Sequence, residues 1–424
     1  MKSVKSRLLS ILFWSVISAA FIGPGTLTSA SSAGASFGFQ LVWALVFATV
    51  ACIVLQEMAA RITIATGSEI GQTLKQLNGG VAKLVYFITF GVILGCAAYE
   101  AGNILGAIEG IRLLIDVDKQ VLTLVIGLIC GMLLWWGTVK ILANILGMVV
   151  AIMGIAFIYV ALEVEVDKAE IVRGLIPTIP DGSEWLVLGL IGTTIVPYNL
   201  FLGSGLSKGQ AIGTMRFGLS VSIVLGGLVS IAILVAGAQI NGEMSFYNLA
   251  LVMGEKLGSW AKMMLAFGLF AAGFTSSITA PLAAGILAKS VVPHKGRAIY
   301  KWVWLVVLIT GLGFGIAEVK PIPIIIAAQA MNGMILPVVA LLLIVQANNA
   351  KLMGNYINSM PLNILAIFIL DFVLIIGVNN IFKAVYSALG QELTNDLSRL
   401  TVMQLIAMPV ILFTVMKIVR SRQR

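Results

Sequence analysis

Charge is nearly missing from this 424-residue chain. Only 11% of its residues are Asp, Glu, Lys or Arg, against 59% hydrophobic, and the mean hydropathy is +1.05. A soluble domain of this size could not clothe its surface with so few ionised groups, so the composition is that of a polytopic membrane protein. The one histidine, His294, sits beside Lys295 and Arg297 in a basic connection. No imidazole is therefore left to serve as a proton relay inside the apolar spans. Three cysteines, Cys52, Cys96 and Cys130, are odd in number and all lie in apolar runs, which argues against a disulfide framework and for buried thiols. No Gly-Lys-Ser/Thr phosphate loop is present, which argues against a pump driven by ATP, and no catalytic constellation appears. The net charge of +9 comes from basic residues scattered singly between apolar spans. That distribution is one of membrane topology, with no nucleic-acid partner implied.

What the sequence does have is twelve apolar spans between residues 9 and 419, each long enough to cross a bilayer. With the N-terminus placed inside and sides alternating, most Lys and Arg fall on the inner side, so both termini are expected in the cytoplasm and the chain in the cytoplasmic membrane, among lipid. Two spans are interrupted. Gly23-Pro24-Gly25-Thr26 falls in the middle of the first run, and Thr193-Thr194-Ile195-Val196-Pro197-Tyr198-Asn199 in the middle of the sixth. Proline cannot donate the helical hydrogen bond, so each interruption leaves backbone groups free near the bilayer midplane, where such groups line a site. The breaks lie five spans apart. An odd number of crossings per unit inverts the second unit, which predicts an all-α fold with a five-plus-five inverted repeat: repeat one over 9–163, repeat two over 185–346, and two peripheral helices over 362–419.

With those residues in view, the chain resembles the Nramp family of divalent metal transporters. The resemblance is carried by Gly34-Ala35-Ser36-Phe37-Gly38-Phe39 after the first break, Leu55-Gln56 with Ala59-Ala60-Arg61 and Ala65-Thr66-Gly67 around span two, and Ala271 to Thr279 with Leu282-Ala283 in span eight. It implies the leucine-transporter-like fold and transport by alternating access of a four-helix core against a scaffold. It also implies a departure at the site. Where the family has Asp-Pro-Gly-Asn, this chain has Gly23-Pro24-Gly25-Thr26, and where the family has Met-Pro-His it has Val196-Pro197-Tyr198. The family's paired acids in span three align with Glu100 and Asn103, and Gln329 in span ten matches a family glutamine near the metal.

The residues expected to meet cargo are thus Gly23, Gly25, Thr26, Thr194, Val196, Tyr198, Asn199, Gln329 and Asn332, with Thr26 and Gln329 as the side chains nearest to metal ligands. Glu100, Asn103, Ser276 and Ser277 are the candidates for coupling to H⁺ or Na⁺, the serines by completing a sodium site against the first break. A dehydrated Mn²⁺ or Fe²⁺ needs carboxylate, imidazole or sulfur ligands, which Gly23 and Val196 do not supply. Mg²⁺ keeping several waters could be held by carbonyls, Thr26, Asn199 and Gln329. The alternative is a small organic solute such as an amino acid. Its carboxylate would sit at the helix N-terminus that begins with Thr26, Thr28 and Ser29, with the small residues Ser29 to Ala35 leaving room for it. No enzyme activity and no resident cofactor are expected.

Overall fold

In the computed structural model, residues 22–75, 81–136, 140–292, 296–317, 319–388 and 397–422 are described. The first half of span one, and with it Lys2, Lys5 and Arg7, lies outside them, as do His294 and Lys295. The first repeat region contains α1 (Pro24–Phe37), α2 (Val42–Thr66), the short α3 (Ile70–Lys75), α4 (Val81–Arg112), α5 (Lys119–Trp136) and α6 (Lys140–Glu163). A connection carrying α7 (Lys168–Arg173) leads to α8 (Glu184–Thr194), α9 (Pro197–Leu206), α10 (Ile212–Gly237), α11 (Phe246–Leu257), α12 (Ala261–Val291), α13 (Gly296–Ile316) and α14 (Pro321–Ala347). The one-turn α15 (Ala350–Met353), α16 (Met360–Ala388) and α17 (Leu397–Arg422) complete the chain. Eleven helical segments among the described residues are long and apolar enough to span a membrane, with α8 and α9 forming one of them. Adding α1, the described half of span one, accounts for the twelve spans expected.

These helices are apolar all round because both of their surroundings are. One face packs on other helices, and the rest meets lipid: Leu162 is 79% exposed and Phe87 69%, positions that only a hydrocarbon solvent tolerates. The connections use ordinary punctuation. Gly67, with φ 68°, closes α2 in the left-handed region and donates to Thr63 O at 2.9 Å. Asp167 caps α7 through Ala169 N at 2.9 Å, and Ser245 caps α11 through Asn248 N at 3.0 Å.

The packing pairs show the repeat directly. Exchanging spans one to five with six to ten turns the contact of α1 on α10 into that of α9 on α2. The same exchange turns α14 on α4 into α6 on α12, and α13 on α4 into α5 on α12. Spans three and eight, α4 and α12, pack on each other across the axis. Two modules follow. The core holds α1, α2, α8, α9 and α10, and the scaffold holds α4, α5, α12 and α13, with α14 touching both. Outside this frame, α16 rests its Phe368 and Phe372 on Trp43 and Phe47 of α2. Asp371 of α16 accepts from Gln404 Nε2 of α17 at 3.0 Å, which is a structural partner for a carboxylate within a span.

The small residues after the first break bring helices together. A Cβ at Gly34 would run into the backbone of Leu234 and Ala238, and one at Gly237 into the backbone of Ser31. This corrects the expectation that Ser29 to Ala35 leave room for a solute: from Ser31 to Gly34 that room is taken by α10. Gly34→Ala is expected to destabilise the protein by roughly 1–3 kcal/mol, the usual cost of overpacking, measured as a lower melting temperature in detergent. Ala35→Gly, made beside it, should have a smaller effect.

Candidate substrate site between the broken helices

Both breaks are built in one way. Pro24 and Pro197 each open a helix, where the missing N–H costs nothing. The residue before each is extended, Gly23 at φ −93°, ψ 177° and Val196 at φ −74°, ψ 120°, because a following proline disfavours the helical region. Ile195, at φ −103°, ψ 70°, ends α8. Ile195 and Val196 thus form a stretch of non-helical backbone buried to 0% and 1% exposure. Non-helical backbone is tolerated at such depth where it borders a site.

The two breaks touch through side chains. Thr26 Oγ1 lies 2.8 Å from Thr193 Oγ1, joining α1 to the end of α8. Gln329 of α14 lies across both. Its amide fills the space where a Gly25 side chain would be, and its backbone lies against Gly192. Tyr198, in the first turn of α9, meets the ring of Tyr99 edge to face at 5.7 Å, and the Tyr99 hydroxyl donates to Gly192 O at 3.3 Å.

Around this junction is a set of buried polar atoms without partners: Thr28 Oγ1, Ser29 Oγ, Gln329 Oε1 and both Asn199 side-chain atoms. Asn199 is only 2% exposed and Gln329 1%. Buried polar atoms are nearly always satisfied by protein or water, so a group of exceptions at two helix breaks is a cradle for something that supplies the missing hydrogen bonds or takes up the lone pairs. Thr194 does not join it, since its hydroxyl donates back to Leu190 O at 2.9 Å. Asn332 is buried on the α4 side of α14, its Nδ2 donating to Ala328 O at 3.3 Å and its Oδ1 facing Gly95.

Glu100 is held elsewhere. Gly95, Tyr99, Gly102 and Gly106 share the α4 face that meets Asn332, Gly192, Ile325 and Pro24. The face bearing Glu100 and Asn103 meets Gly311 of α13 and Gly273 of α12. Asn103 Nδ2 donates to Glu100 Oε2 at 3.4 Å, Ser277 lies against the same carboxyl, and Oε1 has no partner. The hydroxyls of Thr275, Ser277 and Thr279 bond back to carbonyls of α12 itself. Ser277, one of the two serines expected at the first break, thus lies with Glu100 on the face of α4 that meets α12 and α13. Tyr99 is the functional candidate that sequence reading passed over; its signal was the helical spacing of Gly95, Tyr99, Gly102 and Gly106.

Two proline-opened half-helices whose breaks meet in the core of an inverted repeat define a membrane transporter of the broken-helix class. The family described as natural resistance-associated macrophage protein-like matches residues 15–383, and the chain belongs to this family, Nramp. It is 26% identical over 400 residues to the divalent metal cation transporter MntH of Yersinia pestis (strain Pestoides F), covering 89% of this chain and 95% of that one. It is equally 26% identical over 381 residues to the MntH of Klebsiella pneumoniae subsp. pneumoniae, covering 84% and 89%. In fold it is similar to the manganese transporter of Eremococcus coleocola in complex with an aromatic bis-isothiourea compound, with TM-score 0.75 at 17% identity over 98% of this chain and 94% of that chain. A nucleobase-cation-symport-1 family transporter in a closed conformation matches with TM-score 0.56 at 15% identity, covering 96% and 92%. Among the described residues, no group of three or more His, Cys, Asp and Glu could hold a metal ion.

Gly25→Val would drive a side chain into the Gln329 amide. It is expected to lower transport by about tenfold or more, equivalent to about 1.4 kcal/mol. Flux in proteoliposomes, compared with the melting temperature of the same variant, separates this from unfolding.

Proposed function

We propose that this chain carries a divalent cation across the cytoplasmic membrane by alternating access, with both termini in the cytoplasm and transport driven by an H⁺ or Na⁺ gradient. The inverted repeats extend over 9–163 and 185–346, and the helices over 362–419 are peripheral to the moving parts. The cargo class rests on family membership and on relatives named divalent metal cation transporters.

One observation supports a particular kind of cation. Every unpartnered side-chain atom at the breaks is a neutral hydroxyl or amide group, and the carbonyls of Gly23 and Val196 already accept the first hydrogen bonds of α1 and α9. Neutral oxygens cannot replace the whole hydration shell of Mn²⁺ or Fe²⁺, for which nitrogen, sulfur or carboxylate ligands are the usual compensation. They can hold Mg²⁺ with several of its waters in place, since that ion dehydrates reluctantly and its bound waters need acceptors. Thr26, Asn199 and Gln329 fill that role, with Tyr198 as the wall of the chamber.

The second reading, a small organic solute such as an amino acid, is favoured by the orphan hydroxyls Thr28 and Ser29 near the start of α1, where a carboxylate would find donors. In proteoliposomes with a trapped indicator, saturable Mg²⁺ uptake is expected to exceed Mn²⁺ uptake and to fall at least about tenfold in Asn199→Ala, the loss of roughly 1.4 kcal/mol of binding. Absence of Mg²⁺, Mn²⁺ and Ca²⁺ uptake by folded protein would exclude the cation. A melting temperature raised by an amino acid would then favour the solute, because a ligand that binds the folded state stabilises it.

Glu100 is proposed as the coupling carboxylate, acting from the scaffold side of α4. Glu100→Gln keeps the shape and removes the titration. Uptake by this variant is expected to lose its dependence on pH between inside and outside, and unchanged dependence would remove Glu100 from the coupling.

A further inference from the structure

At the end of the bundle away from α7, one guanidinium joins the core to a piece of chain outside it. Arg61 of α2 is among the largest fully buried side chains, at 2% exposure. Its Nε donates to Glu57 Oε1 and Oε2 at 2.9 and 3.1 Å. Glu57 is shared, because Arg216 Nε of α10 also donates to Oε1 at 2.8 Å. A single carboxylate therefore serves two cations. The rest of the Arg61 fork is held by neutral acceptors: Nη1 donates to Tyr356 O and Nη2 to Asn358 Oδ1.

Tyr356 and Asn358 belong to the strap of residues 348–359 that connects α14 to α16. The strap is itself braced. Asn348 and Asn363 exchange hydrogen bonds of 2.8 and 2.7 Å, Asn358 Nδ2 donates to Asn363 Oδ1 at 2.8 Å, and Asn358 N donates to Ala347 O at 3.0 Å. Asn358 Nδ2 also lies 3.4 Å from Met58 Sδ of α2.

Buried ion pairs are poor devices for stability, since well-packed apolar residues serve as well or better. A buried guanidinium whose only carboxylate is shared, and whose remaining donors end on a separate segment, suits a contact that is made in one state and lost in another. We propose that Arg61 is a latch. It ties the four-span core to the strap while this end of the transporter is closed, and releases Tyr356 and Asn358 when the core tilts to open it. Glu57 and Arg216 travel with Arg61 on the core and keep it oriented in both states. The seam that the latch guards is visible as a narrow cleft between α9 and α12, lined by Phe201 and Leu202 on one side and Ala283 and Leu287 on the other. The inference rests on the alternating-access part of the proposed function and is independent of the cargo.

The test uses Leu202→Cys as a reporter in full-length protein in proteoliposomes, read with no cargo present, so that its failure is separate from failure of the cation reading. The native thiols Cys52, Cys96 and Cys130 are buried and free. The rate at which a water-soluble maleimide labels position 202 is expected to rise several-fold in Arg61→Gln and less in Arg61→Lys, which keeps the charge but loses the fork. Asn358→Ala, which leaves the Glu57 pair intact, should also raise it and covers the case in which Arg61→Gln does not fold. An unchanged labelling rate in a folded variant, with only a lower melting temperature, would overturn the latch and leave Arg61 a packing residue. A second measurement bridges Met58→Cys and Asn358→Cys with a short reducible thiol cross-linker. Transport should stop on bridging and return on reduction, and transport that continues while bridged would show that the contact never opens.

Discussion

Backbone without helical partners, buried in the middle of an apolar bundle, is the constraint on which the rest of this structure depends. Pro24 and Pro197 create it, and the surrounding sequence answers it with small residues and hydroxyls. Gly25, Gly189 and Gly192 let α1, α8 and α14 approach until side-chain amide and backbone stand in contact. Thr26 and Thr193 then meet at 2.8 Å. Larger residues at those glycines would push the half-helices apart and leave the free carbonyls facing hydrocarbon, at a cost of several kcal/mol for each unsatisfied group.

Span three keeps the breaks and the Glu100 carboxylate, proposed for coupling, on separate faces. Along α4, the face of Gly95, Tyr99, Gly102 and Gly106 looks to the breaks and to α14, while the face of Glu100 and Asn103 looks to α12 and α13. One rigid helix thereby touches cargo chamber and carboxylate without letting them meet. Movement of the core over the first face would alter the surroundings of Tyr99 and leave the Glu100 pocket, built from scaffold helices, as it was. Coupling through Glu100 must then act through the position of α4 as a whole or through water, and not by direct contact with an ion held at Thr26 and Asn199.

Most of the architecture was legible because membrane helices announce themselves by length and composition. The positions of Gly23-Pro24 and Val196-Pro197 were enough to place both breaks. Side-chain direction was not legible. Glu100 and Tyr99 are neighbours in sequence, yet a rotation of about 100° per residue sends them to opposite partners, and which face meets which helix is decided by tertiary packing. Ser277 lies beside Glu100 for the same reason. Thr194 was the threonine expected at the site, but it satisfies its hydroxyl on its own helix while Thr193 meets Thr26. The Arg61 contact escaped notice because its acceptors, the carbonyl of Tyr356 and the amide of Asn358, lie almost three hundred residues away in a segment with no pattern of its own.

A neutral chamber changes the energetics of transport more than its affinity. A carboxylate at the first break would attract any divalent ion at short range and would have to be neutralised or shielded on the return stroke, when the site is empty and buried. Hydroxyls and amides carry no such penalty, so the empty core can cross between states without a proton or a counter-ion at the break itself. The cost appears at loading: the ion must arrive with part of its water, and discrimination among ions falls to chamber size and the fit of that hydrated shell. Tyr99 and Tyr198 pack edge to face beside the break, and on the proposed reading their rings would bound the room left for that shell. On that reading, selection among ions would rest on shape and not on ligand chemistry.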